Sequence, residues 1–99
     1  MKIQTQAIHF VADAELIELI ETRLKKLQQF YNEILDATVF LRLENSGKIK
    51  DKIVEVKLKV PREQLIAKSK SKKFEKSLDD TLEALRKQLI KHKEKMNAY

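Results

Sequence analysis

Apolar positions along this chain change their spacing several times, and each change predicts an element. Lys2 to Phe10 mix small, β-branched and apolar residues and read as a first strand. Asp13 is a good N-cap, and Glu15 and Glu18 suit the positive end of a helix. Leu16, Ile20, Leu24, Leu27 and Tyr31 then recur at helical spacing, which predicts an amphipathic helix of about five turns ended by Asn32 to Asp36. Alternation takes over next: Val39, Leu41 and Leu43 face one way, while Thr38, Phe40, Arg42 and Glu44 face the other. Asn45-Ser46-Gly47-Lys48 is a turn. Val54, Val56, Leu58 and Val60 alternate with Glu55, Lys57 and Lys59 in the cleanest strand of the chain. Pro61-Arg62-Glu63 closes that strand, and a weaker one follows over Gln64 to Lys70. From Ser71 the helical period returns, with Phe74, Leu78, Leu82, Leu85 and Leu89 as the stripe of a long second helix at about 72–95.

The predicted order is β-α-β-β-β-α, an α+β fold with a four-stranded sheet. Its last three strands form an antiparallel meander with one apolar face, so both helices must cover that face. From the first helix onward this order matches a double-stranded-RNA-binding domain. Ninety-nine residues, 42% apolar, suit a single domain over 1–99. With no cysteine, disulfides, thiolate metal sites and cysteine nucleophiles are excluded. The N-terminus lacks a signal-peptide run, and no stretch approaches the roughly 20 apolar residues of a membrane span. A cytoplasmic protein is expected, with no membrane partner.

Charge changes the picture more. Between Lys68 and Tyr99 lie ten basic and five acidic residues, a surplus of about +5 out of the chain's +6. Such asymmetry points to an anionic partner. Lys76, Asp80, Ala84, Lys87, Lys91 and Lys95 follow one i+3/i+4 track beside the apolar stripe, and Lys73 joins at its start. Arg23 and Lys26 sit on a comparable flank of the first helix. Two such flanks facing each other would make a cationic groove. Lysine-rich helix faces are most often merely solvated, but Lys72 and Lys73 oppose the helix dipole unless an anion is present. Lys57, Lys59, Lys68 and Lys70 form a separate population on the outward sheet face, where solubility and edge protection suffice to explain them.

Enzymatic chemistry finds little support. His9 and His92 are far apart and make no metal-ligand spacing. By helical phase His92 projects near the apolar face, where a packed or solvated histidine is the more economical reading. Asp79 and Asp80 are adjacent and cannot face each other as an acid/base pair; complementing the helix dipole explains them. One glycine cannot build a phosphate-cradling loop. No enzyme activity, cofactor, metal or small-molecule substrate is expected. Phe10, Phe30, Tyr31, Phe40 and Phe74 are scattered, so backbone and shape recognition fit better than base stacking as the main mode.

Three segments carry a family resemblance. They are Arg23-Leu24-Lys25-Lys26-Leu27-Gln28-Gln29-Phe30, Val39-Phe40-Leu41-Arg42-Leu43 and Leu85-Arg86-Lys87-Gln88-Leu89-Ile90-Lys91-His92-Lys93-Glu94-Lys95. With these the chain resembles the ribosome hibernation promoting factors, also known as ribosome-associated inhibitor A, S30EA ribosomal proteins or sigma factor modulation proteins. The resemblance implies a domain that binds small-subunit rRNA in 30S and 70S particles, in the channel for messenger RNA and transfer RNA. Translation would thereby be silenced in stationary phase or stress. The family's basic positions fall on Arg23, Lys26, Lys87 and Lys91, with Lys93 and Lys95 extending the tail. The family's usual lysine is Ala84 here, with Arg86 nearby, and its Gly-x-Asp-x-Tyr pattern is replaced by Ser71, Lys73 and Glu75, where Lys72, Lys73 and Lys76 supply charge. Arg23, Lys26, Lys73, Lys76, Arg86, Lys87, Lys91, Lys93 and Lys95 are therefore the candidate RNA-binding residues. The length matches the family's short form, which in some bacteria acts with a separate ribosome modulation factor.

Two other readings stay open. One is a generic RNA-binding or structural ribosomal protein without a regulatory role. The other is a basic module that binds an acidic protein.

Overall fold

The computed structural model describes residues 1–45 and 47–97. Its elements run β1 (Lys2–Ala7), α1 (Ala14–Phe30), β2 (Asp36–Glu44), β3 (Asp51–Val60), β4 (Glu63–Ser71) and α2 (Phe74–Asn97). The strands form one sheet in the order β1-β2-β3-β4. β1 runs parallel to β2, joined through α1, and the other two pairings are antiparallel. The predicted element order and the meander are both present.

Element ends differ from expectation for local reasons. β1 stops at Ala7, because His9 adopts a left-handed conformation (φ 63°) that a strand cannot continue through, although Ile8 N–H still donates to Leu41. Tyr31 lies just past α1 in extended backbone, yet its ring remains in the core. Asp13 caps α1 as expected, accepting from Leu16 N–H at 2.8 Å. α2 begins later than about 72. Lys73 is its cap residue, its N–H donating to Ser71 Oγ and its carbonyl accepting from Ser77 N–H. β4, the weaker strand by pattern, is fully paired with β3 over its length.

One apolar cluster holds the fold together. Ile20, Leu24 and Leu27 from α1 meet Leu78, Leu82, Leu85 and Leu89 from α2 over Val39, Leu41, Val54, Val56 and Leu58 of the sheet. Alternation explains the strand residues, and i+3/i+4 spacing explains the helical ones. Truncating one of these leucines to alanine costs about 2–5 kcal/mol in a core of this kind.

α2 is set on the sheet by small polar residues as well. Ser77 Oγ donates to the Lys52 carbonyl at 2.6 Å, and Thr81 Oγ1 reaches the Val54 carbonyl at 3.2 Å. Gln88 Nε2 donates to the Ile66 carbonyl at 3.0 Å, covering part of the β4 edge. At the other end of the stripe, His92 is buried. These contacts fix the rotation of α2, and so decide where each of its cations points.

Candidate nucleic-acid interface

The buried arc of α2 runs through Leu78, Leu85, Leu89 and His92. Residues just to one side of that arc meet α1; residues to the other side overhang β4. The two sides carry different chemistry.

On the α1 side lies a hollow of about 330 Å³, lined by Arg23, Lys26 and Phe30 from α1 and by Asp79, Glu83 and Arg86 from α2, with Leu27 and Leu82 beneath. Arg23 reaches across it, donating to Glu75 Oε1 at 2.9 Å and Asp79 Oδ1 at 3.1 Å. These are partly exposed pairs, each worth at most about 1 kcal/mol after solvent screening. The Arg86 guanidinium lies 4.3 Å from the centre of the Phe30 ring. Lys93 lines a neighbouring hollow that also includes Phe30, Tyr31 and Met96.

Lys91 and Lys95 sit on the β4 side with Gln88, His92, Glu63 and Leu65, around a hollow of about 280 Å³. Lys95 Nζ is 3.7 Å from Glu63 Oε2. Lys76 pairs with Asp80 one turn on, at 3.3 Å. Lys87 and Lys73 are exposed. Among the described residues Lys26, Lys87, Lys91 and Lys93 make no ion pair, so their charge is available to an outside anion.

The expected cationic groove is therefore built differently. Arg23 and Lys26 face Arg86, not Lys87 and Lys91, because Arg86 is the residue that emerges beside Leu85 on the α1 side. The groove also contains carboxylates. Asp79 pairs with Arg23, a role that sequence did not reveal, and Asp80 pairs with Lys76. Lys72 differs from expectation as well: its ammonium already meets the Asp51 carboxylate at 2.6 Å and donates to the Ile49 carbonyl. The anion that offsets the helix dipole there is internal.

His92 was expected near the apolar face and is 1% exposed. Its Nδ1 hydrogen-bonds Glu63 Oε2, and its ring meets the Tyr31 ring edge-on at 5.7 Å. Nε2 has no hydrogen-bond partner among the described residues. The bond from His92, aided by Lys95 and only partly opposed by desolvation, lowers the Glu63 carboxyl below the usual glutamate range. Burial raises the Tyr31 hydroxyl above its usual value, and its bond to Glu33 adds to that. This cluster pins the β3–β4 turn to the end of α2. Its only sequence signal was the helical phase of His92.

The open sheet face carries a third population. Phe40 has Lys57 at 5.2 Å and Arg42 at 5.5 Å from its ring centre. Arg42 is paired with Glu55, and Lys70 stands 3.8 Å from Glu44. Among the described residues no group of three or more His, Cys, Asp or Glu side chains could hold a metal. None of the described helices is long and apolar enough to cross a membrane.

A family model described as sigma 54 modulation protein / S30EA ribosomal protein matches residues 3–97. Among solved structures, the chain is similar to a ribosomal subunit interface protein from Coxiella burnetii. The TM-score is 0.82 at 28% identity, covering 94% of this chain and 98% of that one. It also shares the fold of the Protein Y N-terminal domain from Thermus thermophilus, with a TM-score of 0.76 at 19% identity, covering 89% and 94%. Among curated proteins no relative matches the chain.

Proposed function

The chain belongs to the sigma 54 modulation protein / S30EA ribosomal protein family, and from that premise we propose that it is a ribosome hibernation factor. It binds rRNA of the small subunit, in 30S and 70S particles, within the decoding channel. There it excludes messenger RNA and transfer RNA in stationary phase or stress. Its site of action is the cytoplasm, and a separate ribosome modulation factor is a candidate co-partner.

The family match along nearly the whole chain is the observation that carries this reading. Similarity to a protein described as a ribosomal subunit interface protein supports it, as do the ammonium groups of Lys26, Lys87, Lys91 and Lys93, which make no ion pair among the described residues. Inhibition by occupancy needs no chemistry from the protein. It needs shape and positive charge, which the helical face supplies. Initiator transfer RNA in excess therefore relieves inhibition, and ribosomes washed free in high salt regain activity.

Sucrose-gradient sedimentation of lysates from growing and starved cells tests the reading. Sparse binding in growth and near-saturation of 30S and 70S particles in starvation is expected. Constant occupancy in both states would favour a structural ribosomal protein, and protein left at the top of the gradient would favour an acidic-protein binder. With about five phosphates neutralised, binding to duplex-like RNA should show a log–log salt slope of roughly −4 to −5. A slope near −1 would mean that the lysines are only solvated.

A further inference from the structure

The groove between α1 and α2 is poorly matched to a phosphate. Asp79 and Glu83 both line it, and a carboxylate repels a phosphate oxygen at close range. One of its two arginines, Arg23, already donates to Glu75 and Asp79.

What the groove does offer is a flat surface. The Arg86 guanidinium rests on the Phe30 ring at 4.3 Å, and Phe30 is 39% exposed. Arg86 is itself exposed, so the face of its guanidinium turned away from Phe30 can take a second planar partner. Unpaired RNA bases are held in this way, on aromatic rings and on arginine planes. The hollow of about 330 Å³ lies at the lower end of small-molecule sites, about 300–1,000 Å³. A single planar base is of that scale.

Glu83 narrows the choice of base. It makes no ion pair among the described residues, and a carboxylate only accepts hydrogen bonds. Guanine alone presents two adjacent donors, N1–H and the 2-amino group, on its Watson–Crick edge. Adenine and cytosine place a bare ring nitrogen beside their amino group, and uracil places carbonyls on both sides of its N–H. Each of these sets a lone pair against the carboxylate.

We infer that the groove receives a single unpaired guanine of the bound RNA. The base stacks on the Arg86–Phe30 pair with its Watson–Crick edge toward Glu83, and Lys26 takes the adjoining phosphate. This deepens the RNA-binding reading and rests on it, but it concerns a different surface from the Lys87–Lys91 ridge.

Titration of the full chain with the pentanucleotides UUGUU, UUAUU and UUUUU, followed by NMR of the arginine side chains, tests the inference. UUGUU should shift the Arg86 side-chain resonances upfield and bind about tenfold more tightly than UUUUU, the scale of a hydrogen bond to a charged group. Arg86→Lys keeps the charge but loses the plane, and should abolish that preference. Glu83→Gln should bring UUGUU and UUAUU level. Equal binding of all three pentamers, or unmoved Arg86 side-chain signals while RNA binds, would overturn the inference. Sedimentation of the wild-type protein with small subunits separates the two proposals. Co-sedimentation without a guanine preference removes this inference and leaves the hibernation reading standing. A guanine preference without co-sedimentation does the reverse.

Discussion

Along the flank of α2 that meets α1, both arginines are engaged: Arg23 is held by Glu75 and Asp79, and Arg86 lies on Phe30, which leaves only Lys26 of the groove's cations without an ion pair or ring contact among the described residues. Along the crest and the β4 flank, Lys87 and Lys91 carry the same kind of charge with no ion pair among the described residues. Both flanks are basic in sequence, yet they are suited to different tasks. Paired and stacked cations in a groove with carboxylates can discriminate shape. Free ammonium groups on an exposed crest can only supply long-range attraction, and that attraction falls as salt rises. Residue type alone does not distinguish a cation that holds the fold from one that is available to a partner.

The largest expected effect is on the crest. Lys87→Glu/Lys91→Glu should weaken binding to small subunits by on the order of 100-fold at low salt and flatten the salt slope by about 1 per site. Neither side chain reaches the core, so thermal stability should change by no more than about 0.5 kcal/mol. Unchanged inhibition of translation by the folded double variant would dissolve the contrast between the flanks.

A smaller effect is expected where the β4 flank is pinned. The folded state lowers the Glu63 carboxyl, chiefly through His92. A lowered carboxyl contributes stability above its unfolded value of about 4.3 and loses it as pH falls through the folded value. Thermal melts of wild type and Glu63→Gln should therefore differ most above about pH 5 and converge in acid. The same substitution frees Lys95 from its carboxylate, so subunit binding at neutral pH should tighten slightly. A melting gap that stays constant down to about pH 3 would show that the carboxylate charge is not what His92 holds.

The smallest effect belongs to the open sheet. Lys57→Glu/Lys59→Glu should change subunit binding less than about threefold, because these ammonium groups lie on the face opposite the helices. A loss equal to that of the crest variant, measured in the same sedimentation assay, would favour a diffuse charge effect over a defined surface.

Much of the fold is legible in the sequence. Leu16 to Leu27 and Leu78 to Leu89 recur at helical spacing, and Val54 to Val60 alternate, because burial on one face imposes those periods. Asp13 was readable as a cap for an equally local reason. Where backbone conformation overrides composition, the pattern misleads: His9 ends β1 early, and Lys73 caps α2 instead of entering it. The position of His92 followed from helical phase, but its partner Glu63 did not, since the two residues meet only through the packing of α2 on the β3–β4 turn.

Hydrophobic period, charge surplus and the family motifs are properties of neighbouring residues, so the sequence alone determined the order of elements, the basic character of α2 and the family. Which cation faces which neighbour is a property of how α2 is rotated on the sheet. Ser77, Thr81, Gln88 and His92 set that rotation through contacts with strands distant in the chain. Only the tertiary structure could therefore put Arg86 over Phe30, give Arg23 to Asp79 and leave Lys87 and Lys91 open. Pairing depends on distances of a few ångströms across elements, which no one-dimensional spacing encodes.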